Sequence, residues 1–302
     1  MRSRKEIQIE RERFLRQRDD ILKRLSRSAQ KRLFSALLLL LSGLKVDAAD
    51  RLIYSSANAV KARQVEVVFR QFNQSNGIIR WLISGLNKIL GLNLVYFKSV
   101  SRINESVENK ARGLLFQRIG YDLKKERIIK NSWLDNLSSH NQVKLRVIKD
   151  INDAMVGQIS KEEFLMQFKD RFTGKNGLGY IESYYNQFVG DLFMASDRAV
   201  QGQMAKDLGF VFFVYGGTVI KTTRTFCEDR NNKVFHRSEA KEWEALEWKG
   251  KKDPHNIFID LGGHNCRHTL NWLPTPTAKK LLLQQRGKEA TQQLFTKLEI
   301  KI

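Results

Sequence analysis

Hydrophobic positions recur with helical spacing over most of this chain. Ile78, Leu82, Leu86, Ile89 and Leu90 fall on one face of a stretch running from Ile78 to Val95, with Arg80, Asn87 and Lys88 elsewhere. That period predicts an amphipathic helix. Leu33–Leu44 (LFSALLLLLSGL) is a largely apolar run. Spanning a bilayer takes about 20 such residues, so a buried helix is expected. Helical stretches are also expected over Ala48–Phe72, which the polar Asn73–Gly77 closes, and over Asn109–Met155. Ser160 and Glu163 form a capping-box pair that opens another helix. Gly174–Gly179 reads as a loop. Tyr180–Leu208 reads as one long helix, with Tyr185, Phe188, Leu192 and Ala195 inward and Gly209 as its stop.

The period then shortens. Phe210–Tyr215 is rich in strand formers, Gly216-Gly217 suits a tight turn, and Thr218–Thr222 alternates. A β-hairpin is expected there, with Lys233-Val234-Phe235 as a short third strand. The three prolines, Pro254, Pro274 and Pro276, all lie in the last sixth of the chain, so helix is free to run before them. The fold class is therefore α+β: a mainly helical N-terminal half followed by a small Cys/His-containing α+β domain. The expected divisions are a charged helix or arm over 1–32, a helical region over 33–135, the α+β domain over 136–276 and a basic helix over 277–302.

Charge sharpens this picture. A formal net charge of +21 points to a polyanionic partner, with double-stranded DNA held through its phosphates as the first expectation. In the N-terminal segment Arg11, Arg13, Arg16, Arg18, Lys23, Arg24 and Arg27 are the candidate phosphate-contacting residues, interleaved with a thin apolar stripe of Ile9, Leu15, Ile21, Leu22 and Leu25. A membrane surface is the lesser alternative, through Ile78–Val95. Two cysteines make no disulfide framework, and no signal peptide is evident, so a reducing compartment is expected.

Both cysteines, Cys227 and Cys266, and four of the five histidines lie between Thr223 and Trp272. Cys227, His264, Cys266 and His268 are two thiols and two imidazoles, a donor set that suits tetrahedral zinc. If His264-Asn265-Cys266-Arg267-His268 were a strand, its alternate residues would share a face. Two other readings stand beside this one. The thiols are small buried groups or a disulfide pair, or the His264/His268 region serves a metal-dependent nuclease. The ββα context that a nuclease requires is not evident, because Pro274 and Pro276 are expected to stop any helix soon after His268.

The order of these elements resembles the C-terminal domain of tailed-phage head-morphogenesis proteins, the Mu-F-like minor head proteins. Arg224, Cys227, Arg230, Lys233, Val234 and Phe235, followed by His264, Asn265, Cys266, Arg267 and His268, match its paired motifs. The likeness spans roughly 140–276. Arg230 and His268 stand where the family has cysteines, and Asn232 where it has glycine. The resemblance implies a non-enzymatic minor virion component. It would sit near the portal and packaged DNA, inside the capsid after assembly in the host cytoplasm. Its implied role is head assembly or DNA retention and delivery, with portal, capsid or scaffold proteins as partners. Homo-oligomerisation is a further expectation, and a membrane-active internal virion protein using Ile78–Val95 is an alternative reading rather than an expected one.

Overall fold

A computed structural model describes residues 4–75, 77–175, 177–189 and 191–300. The chain is mainly helical, with a small antiparallel sheet near its C-terminus, as the hydrophobic pattern predicts. In chain order the elements begin α1 (Arg4–Ser42), α2 (Ser56–Ser75), α3 (Ile78–Val100), α4 (Glu105–Ile119), β1 (Tyr121–Asp122) and β2 (Arg127–Ile128). There follow α5 (Trp133–Ser139), α6 (Asn141–Val156), α7 (Lys161–Thr173), α8 (Tyr180–Val189) and α9 (Leu192–Asp207). The C-terminal part holds β3 (Phe212–Gly216), α10 (Thr225–Glu228), β4 (Lys233–His236), α11 (Arg237–Glu242), α12 (Ile257–Asp260), β5 (Thr269–Leu273) and α13 (Thr275–Lys297).

Helix α1 joins two stretches that the composition separates, the charged segment and the Leu33–Leu44 run. Its buried positions are Ile7, Arg11, Leu15, Arg18, Leu22, Ser26, Ala29 with Gln30 beside it, Leu33, Leu37 and Leu41. They recur every three or four residues, one stripe down one helix. Two arginines therefore occupy core-facing positions. The first three residues lie outside those described.

Contacts do not follow the linear divisions expected from sequence. They separate one unit of residues 1–15, 85–116 and 191–302 from another of 16–84 and 117–190. The C-terminal segment, expected as one helix, is broken at Gly287 (φ 79°) and belongs with the sheet rather than standing alone. Phe295 of α13 is buried and stacks on Phe212 of β3 at 5.5 Å between ring centroids. Pro274 and Pro276 open this helix rather than excluding one, since proline lacks only an N–H that the first turn leaves unpaired.

In the first unit β3 is the central strand, flanked antiparallel by β4 and β5. This corrects the expected hairpin: residues 217–222 form no strand. Both edges of β3 are already paired, so the Thr218–Thr222 run has no ladder to join, and Val219 and Ile220 are exposed. The outer edges of the sheet are also covered. Gln285 accepts from the Val234 N–H at 2.9 Å, Arg286 donates to the Val234 carbonyl at 2.7 Å, and Tyr96 OH donates to the Trp272 carbonyl at 2.9 Å. Unpaired edges invite aggregation, and these contacts blunt them. A buried network ties α1 into the same unit. Arg11 Nη2 donates to Asn271 Oδ1 at 2.6 Å and Thr269 Oγ1 at 3.1 Å, and its Nε lies 3.8 Å from Asp197. Asn93 and Gln201 donate to the same carboxylate at 2.8 and 2.9 Å.

Three further expectations change. Residues 48–55 are not helix, because Asp47 Oδ1 accepts from the backbone of Ala49 and Arg51 and holds a turn there. The long helix expected from Tyr180 is two helices, α8 and α9, with Gly190 between them outside the described residues. Asn109–Met155 is not all helix, since it contains the β1–β2 hairpin. Ser160 does cap α7, its hydroxyl accepting from the Glu163 N–H at 3.2 Å. Ile78, Leu82, Leu86, Ile89 and Leu90 are all buried. Helix α3 is long and apolar enough to cross a membrane by length and composition, and half of that window is buried in the protein.

Candidate metal site and its scaffold

Cys227 sits on the single turn of α10, Cys266 in the loop before β5, and His268 just ahead of that strand. Their ligating atoms lie within 4.8 Å of one another, and all three residues are buried. Cys227 Sγ is 3.9 Å from Cys266 Sγ, which is 3.8 Å from His268 Nδ1. Both cysteines are free. A disulfide closes the sulfurs to about 2.05 Å, so this pair is reduced. The other His268 nitrogen, Nε2, is buried and makes no hydrogen bond.

The local chain is shaped to this cluster. A Cβ on Gly262 would lie 2.3 Å from Cys227 Sγ and 3.2 Å from Cys266 Sγ, so only glycine fits against the sulfurs. Arg198 of α9 supplies the brace, a residue that the sequence reading passed over. Its guanidinium donates to the His268 carbonyl at 2.7 and 2.9 Å, and to the Cys266 and Ile259 carbonyls at 2.7 Å each. A planar five-donor group suits such a convergence of acceptors. Only its place on an inward helix face signals the role.

Electrostatics splits the two thiols. Cys266 is held well below the ordinary thiol range by the Cys227 side chain, with Arg198 and His268 adding to it. Cys227, whose S–H donates a hydrogen bond to that partner, is pushed up, and burial adds to the effect. Tyr215 OH donates to Cys227 Sγ at 3.2 Å, and burial raises the phenol.

His264 does not join. It is exposed, and Asn265 beside it is left-handed at φ 57°. That residue turns the chain, so 264–268 is no strand: Cys266 and His268 share the buried side, and His264 does not. The His264 backbone instead locks the loop: its N–H donates to Gly250 O at 2.9 Å, and its carbonyl accepts from Arg224 at 2.7 Å. Arg224 also reaches the Lys249 carbonyl at 2.8 Å, so this motif arginine ties both motif halves to the intervening loop. Arg230 donates to Phe226 O at 2.8 Å and stacks on the Phe226 and Trp243 rings at 3.9 and 4.6 Å. Val234 is buried in the sheet, Phe235 half-buried, and Lys233, Asn265 and Arg267 are exposed. His236 caps α11, and His255 packs edge-on against Trp248.

The N-terminal cations separate into two groups. Arg11 and Arg18 are buried, whereas Arg13, Lys23, Arg24 and Arg27 are exposed; the Arg16 side chain lies outside the described residues. Arg27 pairs with Glu182 at 3.1 Å. Lys31 and Arg32 continue the exposed group, and no Asp or Glu occurs between Ile21 and Val46. Comparison of the chain with family models, curated proteins and solved structures returned no match.

Proposed function

We propose that this chain is a non-enzymatic minor structural protein of a tailed-phage head, held near the portal and packaged DNA. The observation that carries this reading is how the two motif halves meet. Arg224 bridges from the first half to the His264 carbonyl in the second, and Cys227 and Cys266 face each other in the interior. A motif built this way staples a small domain. The nuclease alternative needs His264 and His268 to act together, and one is exposed while the other is buried.

Zinc fits the cluster. Two thiolates and an imidazole are its preferred donors, one thiol already lies in the low range, and a buried imidazole nitrogen lacks a partner. Cys227, Cys266 and His268 would hold the ion, with the Tyr215 hydroxyl beside them. The metal would cross-link α10 to the approach of β5 as a structural tie.

The phosphate-contacting face on α1 is Lys23, Arg24, Arg27, Lys31 and Arg32. Arg11 and Arg18 drop out, because their places are in the core, while the exposed Arg13 stays among the candidates. The test is incubation of the full chain with duplex DNA and Mg²⁺, Mn²⁺ or Zn²⁺. Binding that weakens steeply with salt, without cleavage, is expected. Cleavage lost in His264→Ala would favour the nuclease instead.

A further inference from the structure

Helix α4 gives way at Gly120 to a small hairpin, Tyr121–Ile128, that hydrophobic patterning does not reveal. Its base is locked. The Ile129 N–H donates to Gly120 O at 2.8 Å, and Ser132 Oγ donates to the same carbonyl at 3.3 Å. Gly120 has φ +77°, and a Cβ there would lie 1.9 Å from Ser132 Cβ. Only glycine permits this approach. Asp135 accepts from the Asn131 N–H at 2.7 Å and fixes the exit. At the tip, Asp122 Oδ1 accepts from the Lys124 and Lys125 N–H groups at 3.0 and 3.1 Å. Strand pairing of Tyr121 with Ile128 and of Asp122 with Arg127 closes the ribbon.

This frame displays Lys124, Lys125, Arg127 and Lys130, all exposed. No described carboxylate forms an ion pair with any of the four. Three anions lie nearby, and Asp135 is the one already engaged by the Asn131 N–H. Asp122 is occupied in capping the turn, and Glu126 is exposed at the tip. Leu123 and Ile129 are exposed beside the cations. Unpaired cations on a frame that is already ordered bind a polyanion without the cost of ordering a loop.

We infer that the Tyr121–Ile128 hairpin, with Lys130, is a preformed finger that contacts the phosphate backbone of duplex DNA. This rests on the DNA-contact reading above and adds a second, separate contact element to α1. Phosphate contacts of this kind position a protein on DNA without reading sequence. Duplex DNA is favoured over an anionic bilayer because four cations outnumber two half-exposed apolar side chains, on a chain of net charge +21.

The experiment measures binding of the full chain to a fluorescent duplex across a NaCl series. It compares wild type, Lys124→Gln/Lys125→Gln/Arg127→Gln, and Lys23→Gln/Arg24→Gln/Lys31→Gln. Each phosphate contact contributes about 0.9 to the log–log salt slope. The hairpin variant should therefore lose ~2.7 of slope if all three side chains engage. Glu126→Gln, which removes a tip anion, should tighten binding. An unchanged slope in the hairpin variant, with steep wild-type dependence, overturns the finger and leaves the DNA reading standing. A flat wild-type response overturns both. Loss of binding to phosphatidylserine vesicles with DNA binding intact would also overturn the proposal.

Discussion

Cys227 Sγ faces Cys266 Sγ at 3.9 Å, with His268 Nδ1 a further 3.8 Å beyond. Three buried soft donors at this spacing make a site that a metal would tighten. Elemental analysis of the purified chain should find about one zinc per chain, and Cys266→Ser should lose it. Gly262→Ala should lose it as well, because its methyl group would occupy the space beside the Cys227 sulfur. A chelator should lower the unfolding temperature of the wild type and leave Cys266→Ser unmoved. Metal-free protein with no chelator response would reduce the cluster to plain buried packing.

Arg11 and Arg24 lie on one helix and serve opposite ends. Arg11→Ala strips Asp197 of its cation in the core and should cost about 3–5 kcal/mol in urea unfolding. Arg24 is exposed, so Arg24→Ala should change stability by no more than about 0.5 kcal/mol, while weakening DNA binding at low salt. Equal stability losses in the two variants would contradict the assignment.

His140 carries a pH dependence. It is fully buried, with Nδ1 at 2.7 Å from Asn73 Oδ1 and Nε2 at 2.7 Å from Tyr185 OH. Burial lowers its pKa to about 4, from about 6.5 when unfolded. The unfolded chain therefore takes up the proton first. Stability is fully present above about pH 6.5 and declines as pH falls toward 4. The loss should be about 2 kcal/mol by pH 5. His140→Asn, which tolerates the left-handed backbone at this position, should abolish this component between pH 7 and 5. An identical pH profile in both proteins would refute it.

Much of the helical fold was legible because 3.6-residue periodicity survives in single sequences. The α3 face is the clear example, with every predicted inward position buried. The same periodicity places Arg11 and Arg18 on the buried stripe of α1, although their charge suggests solvent. The false strand at Thr218–Thr222 has the right local composition. What excludes it is nonlocal: β4 and β5 already hold both edges of β3. Strands β1 and β2 have two residues each, too few to leave a pattern. At the candidate site, Cys227, Cys266 and His268 were readable as a donor set. The exclusion of His264 was not, because it depends on the left-handed turn at Asn265. Arg198 was invisible because its partners are backbone carbonyls, which carry no sequence signature.

The most direct test of the structural-protein account is quantitative mass spectrometry of purified phage particles and procapsids, set against the unassembled fraction of the same lysate. The account predicts that the chain is enriched in both particle types, at a fixed ratio to the portal protein. Its absence from particles, with the chain abundant only in the unassembled fraction, would contradict the account.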